Sequence, residues 1–342
     1  MAETIILGIE SSCDETAAAV VADGQEVLSN IVASQVELHK RYGGVVPELA
    51  ARAHIEKIIP VLREALDKSQ VKPEALAAIA VANCPGLTPA LLIGVTAAKT
   101  LAWAWQKPLI AVNHVHGHLQ SVMLEQQKDC FPAVALVVSG GHTSIYYCQG
   151  PLELELLGRT LDDAAGEAFD KVATILKLPY PGGPSIEKLS REGDPRAIRF
   201  PRTYLEKDSL NFSFSGVKTA VLYHCRGQNM LGQDRVPHMS QKEKADIAAS
   251  FQAAVVEVLV KKTLMAARQR NVNTILLGGG VAANNCLRVE LEQQCHQAGK
   301  KLIVSSKKYC TDNAAMVAGL AYHKLQVGQI ADLGLEARAQ SS

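Results

Sequence analysis

Short apolar runs, each ending in a polar or glycine-rich turn, recur along this chain and predict an α/β protein. Runs bounded in this way are typical of buried strands. They lie at 5–7, 17–21, 109–112, 135–138, 145–147, 274–277 and 302–304. An apolar stripe with helical spacing, from Ile247 to Met265, predicts a long core helix. Strands that alternate with helices indicate a sheet covered by helices.

Two stretches share the order strand, small polar turn, strand. The first turns through Ser11–Glu15 and the second through Ser139–Thr143. Both are predicted hairpins whose turns expose N–H groups and hydroxyls, which are groups that bind phosphate oxygens. Ordinary hairpins also use serine and glycine in their turns, so the inference of phosphate binding depends on the presence of two such hairpins. It indicates two lobes that face each other across a nucleotide cleft.

His114 and His118 stand four residues apart at the start of a predicted helix that follows a strand. Residues with this spacing share a helix face, so both imidazoles can bind one metal ion, whereas His116 points away. A surface helix that merely carries histidines is the alternative. Asp312, just before a predicted helix at Ala314, is either the N-cap or a third ligand, and spacing alone favours the N-cap.

Three further junctions carry polar or glycine residues. The turn 278–285 joins a strand to a helix without the spacing of a dinucleotide fingerprint or a phosphate-binding P-loop. The rigid turn Pro181–Pro184 leads into a helix that carries Glu187, and the acidic stretch 162–171 is predicted to be helical from about Ala164.

Composition narrows the class of protein. A chain of 342 residues exceeds the size of one typical core, so two lobes are expected. Aromatic residues make up 5% and the net charge is +1, which disfavours aromatic stacking platforms and requires any polyanion to bind a local patch. The eight cysteines form no CxxC pair. With no leader and no membrane span, these features predict a cytoplasmic protein without membrane contacts.

Nine motifs in this order carry a resemblance along nearly the whole chain, from about Ile5 to Leu335. They are GIESSCDET, YGGVVPELAARAH, HVHGH, VSGGHT, DDAAGEAFDK, YPGGP, FSFSGVKT, GGGVAANN and CTDNAAM. The chain resembles the bacterial tRNA N6-adenosine threonylcarbamoyltransferases, formerly called O-sialoglycoprotein endopeptidases. One departure is Cys84-Pro85-Gly86, where the family usually has Gly-Pro-Gly.

The resemblance implies a duplicated α/β fold of the actin-like, sugar-kinase-like (ASKHA) type, with two lobes around a nucleotide cleft. The first lobe is expected at 1–112, completed by a C-terminal helix at about 313–342. The second lobe is expected at 113–312, with the metal and nucleotide site at the interface. The implied reaction moves a threonylcarbamoyl group from threonylcarbamoyl-adenylate to N6 of the adenosine 3′ of the anticodon, in tRNAs that read codons starting with A.

The resemblance also implies roles for individual residues. The metal ligands fall on His114, His118 and Asp312, in place of the N-cap role for the last. Asp14 and Glu15 match the acidic turn near the reacting centre, and the sequence does not choose which is the base. The substrate and nucleotide contacts fall on Val137, Val138, Ser139, Gly140, Gly141, Asp170, Gly183, Glu187 and Asn284.

The implied cofactor is one divalent metal per chain, with Fe(II) favoured, although ligands of this type also fit zinc. The implied partners are tRNA, the adenylate donor, a companion protein of the same fold and a small ATPase, with a homodimer as another assembly. A metalloprotease would need HExxH, but Val115 stands where its glutamate would be. An ATP-dependent small-molecule kinase or a nucleotide-binding scaffold of the same fold are the remaining alternatives.

Overall fold

The apolar runs form the strands of two sheets in the computed structural model, which describes residues 3–124, 130–227 and 234–340. The strands are β1 Ile5–Glu10, β2 Glu15–Ala22, β3 Glu26–Ser34, β4 Leu76–Cys84, β5 Leu109–Asn113, β6 Ala133–Val138, β7 Thr143–Cys148, β8 Leu154–Arg159, β9 Thr274–Gly278 and β10 Lys301–Val304. Every apolar run named above lies in one of these strands, as predicted.

The helices alternate with the strands. They are α1 Val36–His39, α2 Pro47–Ser69, α3 Thr88–Ala104, α4 His114–Gln120, α5 Ala165–Ile175, α6 Gly182–Ser190, α7 Ser215–Arg226, α8 Gln241–Gln269, α9 Asn285–Gln297 and α10 Ala314–Gln326. Short 3-10 turns lie at Lys40–Tyr42, Pro73–Ala75, Val236–His238, Gly280–Ala283 and Lys307–Tyr309.

The chain divides into two compact units. Unit 1 comprises Met1–Asp129 and Ser305–Ser342, and unit 2 comprises Cys130–Val304. Unit 1 extends past residue 112, where we expected the first lobe to end, and it takes up the chain again at Ser305 rather than at 313. His114, His118 and Asp312 therefore belong to unit 1.

The sheets of the two units have the same topology. The strand order is β3-β2-β1-β4-β5 in unit 1 and β8-β7-β6-β9-β10 in unit 2. In each, an antiparallel meander of three strands is followed by two strands parallel to the first, since β1 pairs with β4 and β6 with β9 in parallel. The two predicted hairpins are β1-β2 and β6-β7, which confirms the internal repeat.

Each unit has its own hydrophobic core. In unit 1, Leu7, Ile9 and Val81 of the sheet pack with Val95 of α3, and all four side chains are buried. In unit 2, the predicted stripe forms the buried face of α8, where Phe251 packs edge-on against Phe169 of α5 with ring centroids 5.1 Å apart. No helix in the described ranges is both long and apolar enough to cross a membrane.

Candidate metal centre and nucleotide loops

Helix α4 begins where strand β5 ends, and its first residue is His114. The side chain of Asn113 caps the helix by accepting hydrogen bonds from the N–H groups of Val115, at 2.9 Å, and His116, at 3.2 Å. Because the cap fixes the first turn, His114 and His118 lie on one face, with ring centroids 4.7 Å apart. Both side chains are buried.

Asp312 is not the N-cap of α10. That position is occupied by Asn313, whose Oδ1 accepts from the N–H of Met316 at 3.0 Å. The preference for an N-cap that spacing alone gave is therefore wrong by one residue. Because the cap is supplied by Asn313, the carboxylate of Asp312 is left to face the histidines, and its Oδ1 lies 3.2 Å from Nε2 of His118 and 3.6 Å from Nε2 of His114.

A glycine on strand β1 makes this arrangement sterically feasible. A Cβ on Gly8 would lie 2.4 Å from the carbonyl oxygen of Ala314 and 2.8 Å from the N–H nitrogen of Ala318. Both atoms belong to the backbone of α10, so only glycine lets the helix pack this closely on β1. Gly8 thus sets the position of the helix that follows Asp312, a role the sequence reasoning did not assign.

The three side chains fit a metal ion. Their ligand atoms all lie within 4.8 Å of one another. Neither ring nitrogen of His118 makes a hydrogen bond to any described residue, although both are buried. Buried polar atoms are rarely left in this state, because each costs about 1–3 kcal/mol. Two imidazoles and one carboxylate form a donor set suited to a divalent transition metal.

Glu10, at the end of β1, holds His114 in place. Its carboxylate is fully buried and accepts a hydrogen bond from Nδ1–H of His114 at 2.9 Å, which leaves Nε2 directed to Asp312. Burial lowers the pKa of His114, but Glu10 and Asp312 outweigh it and raise that pKa to about 9. A carboxylate behind a ligating histidine is a usual feature of metal sites. Sequence reasoning missed Glu10, although an acid in an otherwise apolar strand is a visible signal.

The predicted acidic turn lies beside this cluster. Burial, with the negative charges of Asp312 and Asp14, raises the pKa of Glu15 to about 10. Its Oε1 also accepts a hydrogen bond from Ser34 Oγ at 3.1 Å. Carboxyl groups this close repel one another when ionised, and a cation bound at Asp312 would relieve that repulsion.

A buried histidine that sequence reasoning missed fixes the same turn. Nε2–H of His54 donates to the carbonyl oxygen of Cys13 at 3.0 Å, and the hydroxyl of Thr16 donates to Nδ1 at 2.7 Å. Burial lowers the pKa of His54 below its ordinary value. The neutral ring can therefore keep both hydrogen bonds and hold the backbone next to Asp14.

In unit 2, the loop Ser139–Gly141 leaves the end of β6. The N–H of Ser139 bonds the carbonyl oxygen of His142 at 2.8 Å, and Ser139 Oγ accepts from the N–H of His142 at 3.2 Å. Gly140 and Gly141 are exposed, and within the described residues their N–H groups have no protein acceptor. The side chains of Val137 and Val138 are fully buried, so only their backbone could meet a ligand.

The other predicted nucleotide residues are linked to this loop by direct contacts. The N–H of Gly166, at the start of α5, donates to the carbonyl oxygen of Ser139 at 3.2 Å. On the same helix, Asp170 Oδ1 accepts from the N–H of Gly182 at 2.7 Å, next to Gly183 at the start of α6. Gly279, with φ +94°, approaches so closely that a Cβ would lie 2.4 Å from the carbonyl oxygen of Val138.

Glu187 and Asn284 complete this chain of contacts. Glu187 of α6 accepts hydrogen bonds from Asn285 and pairs with Arg191 at 3.4 Å. Asn284 caps α9 by accepting from the N–H of Leu287 at 3.0 Å, while its Nδ2 donates to Gln252 at 2.8 Å. The predicted metal residues thus meet in unit 1, and the predicted nucleotide residues meet in unit 2.

The chain matches the family model described as tRNA N6-adenosine threonylcarbamoyltransferase over residues 26–319. It is 53% identical over 335 residues to the protein of that name from Moorella thermoacetica, covering 98% of this chain and 96% of the relative. The corresponding protein of Symbiobacterium thermophilum is 52% identical over 337 residues, again with 98% and 96% covered.

Solved structures show the fold at low sequence identity. HypF of T. kodakarensis matches with a TM-score of 0.63 and 15% identity, over 95% of this chain and 48% of that protein. Component A of the (R)-2-hydroxyglutaryl-CoA dehydratase of Acidaminococcus fermentans matches with a TM-score of 0.53 and 14% identity, over 94% and 99%. The predicted actin-like, sugar-kinase-like fold is confirmed. On the family match and the near full-length identity, the chain belongs to the tRNA N6-adenosine threonylcarbamoyltransferase family.

Proposed function

We propose that this protein moves the threonylcarbamoyl group from threonylcarbamoyl-adenylate to N6 of the adenosine 3′ of the anticodon, in tRNAs that read codons starting with A, and releases AMP. The observation that carries the proposal is the buried His114, His118 and Asp312 cluster in a chain of this family. Family membership does not favour the alternatives of a small-molecule kinase or a scaffold.

His114, His118 and Asp312 would hold one divalent metal, with Fe(II) favoured and zinc as the alternative. When bound, that ion supplies Lewis-acid polarisation to oxygens of the donor. Glu10 orients His114 and keeps its proton on Nδ1, so Nε2 is available as a ligand. The three protein ligands leave coordination positions open for substrate.

The nucleotide part of the donor is assigned to the loops of unit 2. The exposed N–H groups of Gly140 and Gly141 would donate to phosphate oxygens, with the backbone of Val137, Val138 and Ser139 alongside. Asp170, Glu187 and the backbone at Gly183 would bind the ribose hydroxyls. Asn284, at the glycine turn after β9, would contact the adenine.

The exocyclic amine of adenine is a poor nucleophile, so a base must accept its proton while the donor is held in line. Asp14 and Glu15 are the candidate bases. Because a cation bound at Asp312 would change the charges around Glu15, the raised pKa of Glu15 in the metal-free chain does not choose between the two, and Asp14 is tested first.

The test supplies the metal-loaded protein with tRNA, threonine, bicarbonate, ATP, a donor-forming enzyme, the companion protein and the small ATPase, and measures the modified nucleoside by mass spectrometry. Asp14→Ala should keep AMP affinity within about twofold and lower transfer by orders of magnitude, because its role is confined to the reacting centre. Normal transfer by Asp14→Ala would leave Glu15 as the base. No modified nucleoside from the unaltered protein, with all components present, would overturn the function.

Partners are also proposed for turnover. The net charge of +1 gives little general attraction to RNA, so the isolated chain should bind tRNA weakly at physiological salt. We infer that a companion protein of the same fold and a small ATPase support multiple turnovers, with a homodimer as the alternative assembly. Full multiple-turnover activity of the isolated chain would contradict this inference.

A further inference from the structure

A cavity of about 790 Å³ opens on unit 2 beside the irregular segment that precedes α7. Its polar lining includes Arg196, Arg199, Arg202, Tyr204 and Glu257. None of these residues belongs to the metal cluster or to the nucleotide loops. Three guanidinium groups against one carboxylate make this lining strongly positive for a chain whose net charge is only +1.

The single carboxylate is already committed to protein cations. Glu257 accepts from Nε of Arg202 at 3.0 Å, from the hydroxyl of Tyr204 at 2.9 Å and from Nζ of Lys261 at 2.6 Å. Burial raises the pKa of Glu257, but these hydrogen bonds outweigh it and bring the pKa to about 2. Glu257 therefore stays ionised and neutralises Arg202 and Lys261 in part.

Unlike the guanidinium group of Arg202, those of Arg196 and Arg199 have no carboxylate partner among the described residues. Both are exposed, and within the described residues neither guanidinium group makes a hydrogen bond or an ion pair. Guanidinium groups offer a fork of N–H donors that matches the oxygens of a phosphate. Two such groups at one cavity, without carboxylate partners, supply a site for a polyanion.

The segment that carries them is held firmly although it is neither helix nor strand. Nζ of Lys262, buried in α8, donates to the carbonyl oxygens of Tyr204 at 3.1 Å, Ser209 at 2.7 Å and Asn211 at 2.6 Å. On the other side, the N–H of Ile198 donates to Ser250 Oγ of α8 at 3.1 Å. The backbone beneath the arginines is thus positioned before any ligand binds, which lowers the entropy cost of binding.

We propose that this cavity binds the phosphodiester backbone of the tRNA. The proposal rests on the proposed function and adds a site at which the chain binds the tRNA. A chain of nearly neutral net charge must hold a polyanion by a local patch, and the cavity supplies one. Backbone contacts fit the lining, because arginine forks rather than exposed aromatic faces dominate it.

The test compares Arg196→Ala/Arg199→Ala with Lys72→Ala/Arg268→Ala. Each double variant removes two positive charges from exposed positions, but only the first pair lines the cavity. Binding of labelled tRNA is measured over a range of salt concentrations, together with AMP affinity and the KM for tRNA. The cavity variant should lose about tenfold or more in tRNA affinity, and its salt dependence should fall by about one to two in slope. AMP affinity and kcat should stay near normal.

A charge-reversal variant, Arg199→Glu, changes the charge by the same two units and should weaken tRNA binding as well, while its melting temperature shows that the fold is kept. If tRNA affinity and salt slope match those of the control pair, the cavity is not the site. If a phosphopeptide displaces tRNA from the unaltered protein and is itself lost in the cavity variant, the site is for another polyanion. A failure of the proposed function is separate, because tRNA would then bind at the cavity without being modified by the complete system.

Discussion

His118 is buried with both ring nitrogens lacking a hydrogen-bond partner among the described residues. The oxygen of Asp312 is close to one of them, yet without hydrogen-bond geometry. Such a side chain is costly in a folded protein unless a ligand binds it. The spacing of His114 and His118 predicted from the sequence that both imidazoles lie on one face of α4, and the structure confirms this.

Replacing the histidines one at a time should show which of them hold the metal. His114→Ala and His118→Ala should lose most of the metal, because each removes one of three protein ligands. His116→Ala is the matched control on the same helix, and it should keep close to one metal per chain. Elemental analysis of the purified proteins measures this, and retention of the metal by both ligand variants would contradict the assignment.

Metal affinity should depend on pH through His114. With a pKa of about 9, raised from 6.5, its imidazole is protonated at neutral pH in the metal-free protein, and that proton must leave before a metal binds. Affinity for zinc should therefore rise by about tenfold per pH unit between about 6.5 and 9, and then level off. Competition with a chelating dye measures it.

The stability of the metal-free protein should move in the opposite direction. A folded pKa above the unfolded value contributes stability that is complete below about pH 6.5 and lost as pH rises through about 9. Melting temperatures of the metal-free and metal-loaded forms should thus diverge across this window. Glu10→Gln removes the charge that raises the pKa of His114, so in this variant the melting temperatures of the metal-free and metal-loaded forms should begin to diverge at lower pH. A constant difference between the two forms would show that His114 does not titrate there.

Gly140 tests the phosphate loop. A Cβ at this position meets no atom within 4 Å, and its φ is outside the left-handed region, so Gly140→Val should unfold at nearly the same denaturant concentration as the unaltered protein. The added side chain should still obstruct a phosphate at the exposed N–H groups and weaken AMP binding. Titration calorimetry measures the AMP affinity of Gly140→Val and of the unaltered protein. Gly150→Val is the control, because a Cβ at Gly150 also meets no atom within 4 Å. Unchanged AMP affinity in Gly140→Val would remove the loop from the site.

At the scale of elements, the apolar pattern predicted seven of the ten strands in the described residues, because burial imposes a pattern that can be read locally. It missed β3, β4 and β8. The capping of α10 was not predicted correctly, because Asp312 and Asn313 are adjacent and both are good caps. Only the position of Asp312 against α4, a contact between distant parts of the sequence, separates the two roles.

The close packing of α10 on β1 makes Gly8 a sensitive position. Gly8→Ala places a Cβ 2.4 Å from the backbone oxygen of Ala314, and the helix must shift to accommodate it. We expect the free energy of unfolding to fall by about 1–3 kcal/mol and metal affinity to fall as well, because Asp312 immediately precedes the helix. Urea denaturation and zinc titration measure the two effects.

Gly44→Ala is the control for this experiment. A Cβ there meets nothing within 4 Å, and stability should change little. Metal affinity in Gly8→Ala equal to that of the control would show that α10 does not set the position of Asp312.

At the scale of the whole molecule, the internal repeat was visible in the two hairpins, and the two sheets share one strand order. The boundaries of the units were harder to predict, because the chain leaves unit 1 after α4 and returns at Ser305. Strand periodicity shows that a segment is buried but not which sheet it joins, and that choice depends on pairing between residues far apart in sequence. Glu10 and His54 escaped notice for the same reason, since their partners lie elsewhere in the chain.

Lys262 of the core helix α8 holds an irregular surface segment in place, so the segment should unfold only together with the helix. The ammonium group of Lys262 donates to three carbonyl oxygens of residues 204–211. If these hydrogen bonds broke, a buried charge would be left without a hydrogen-bond partner, which is costly. Proteases cut chains that open locally, and long exposed segments usually open first. The segment 204–211 should instead resist digestion until α8 itself unfolds. The time it takes a protease to cut this segment therefore reports how cooperatively unit 2 unfolds.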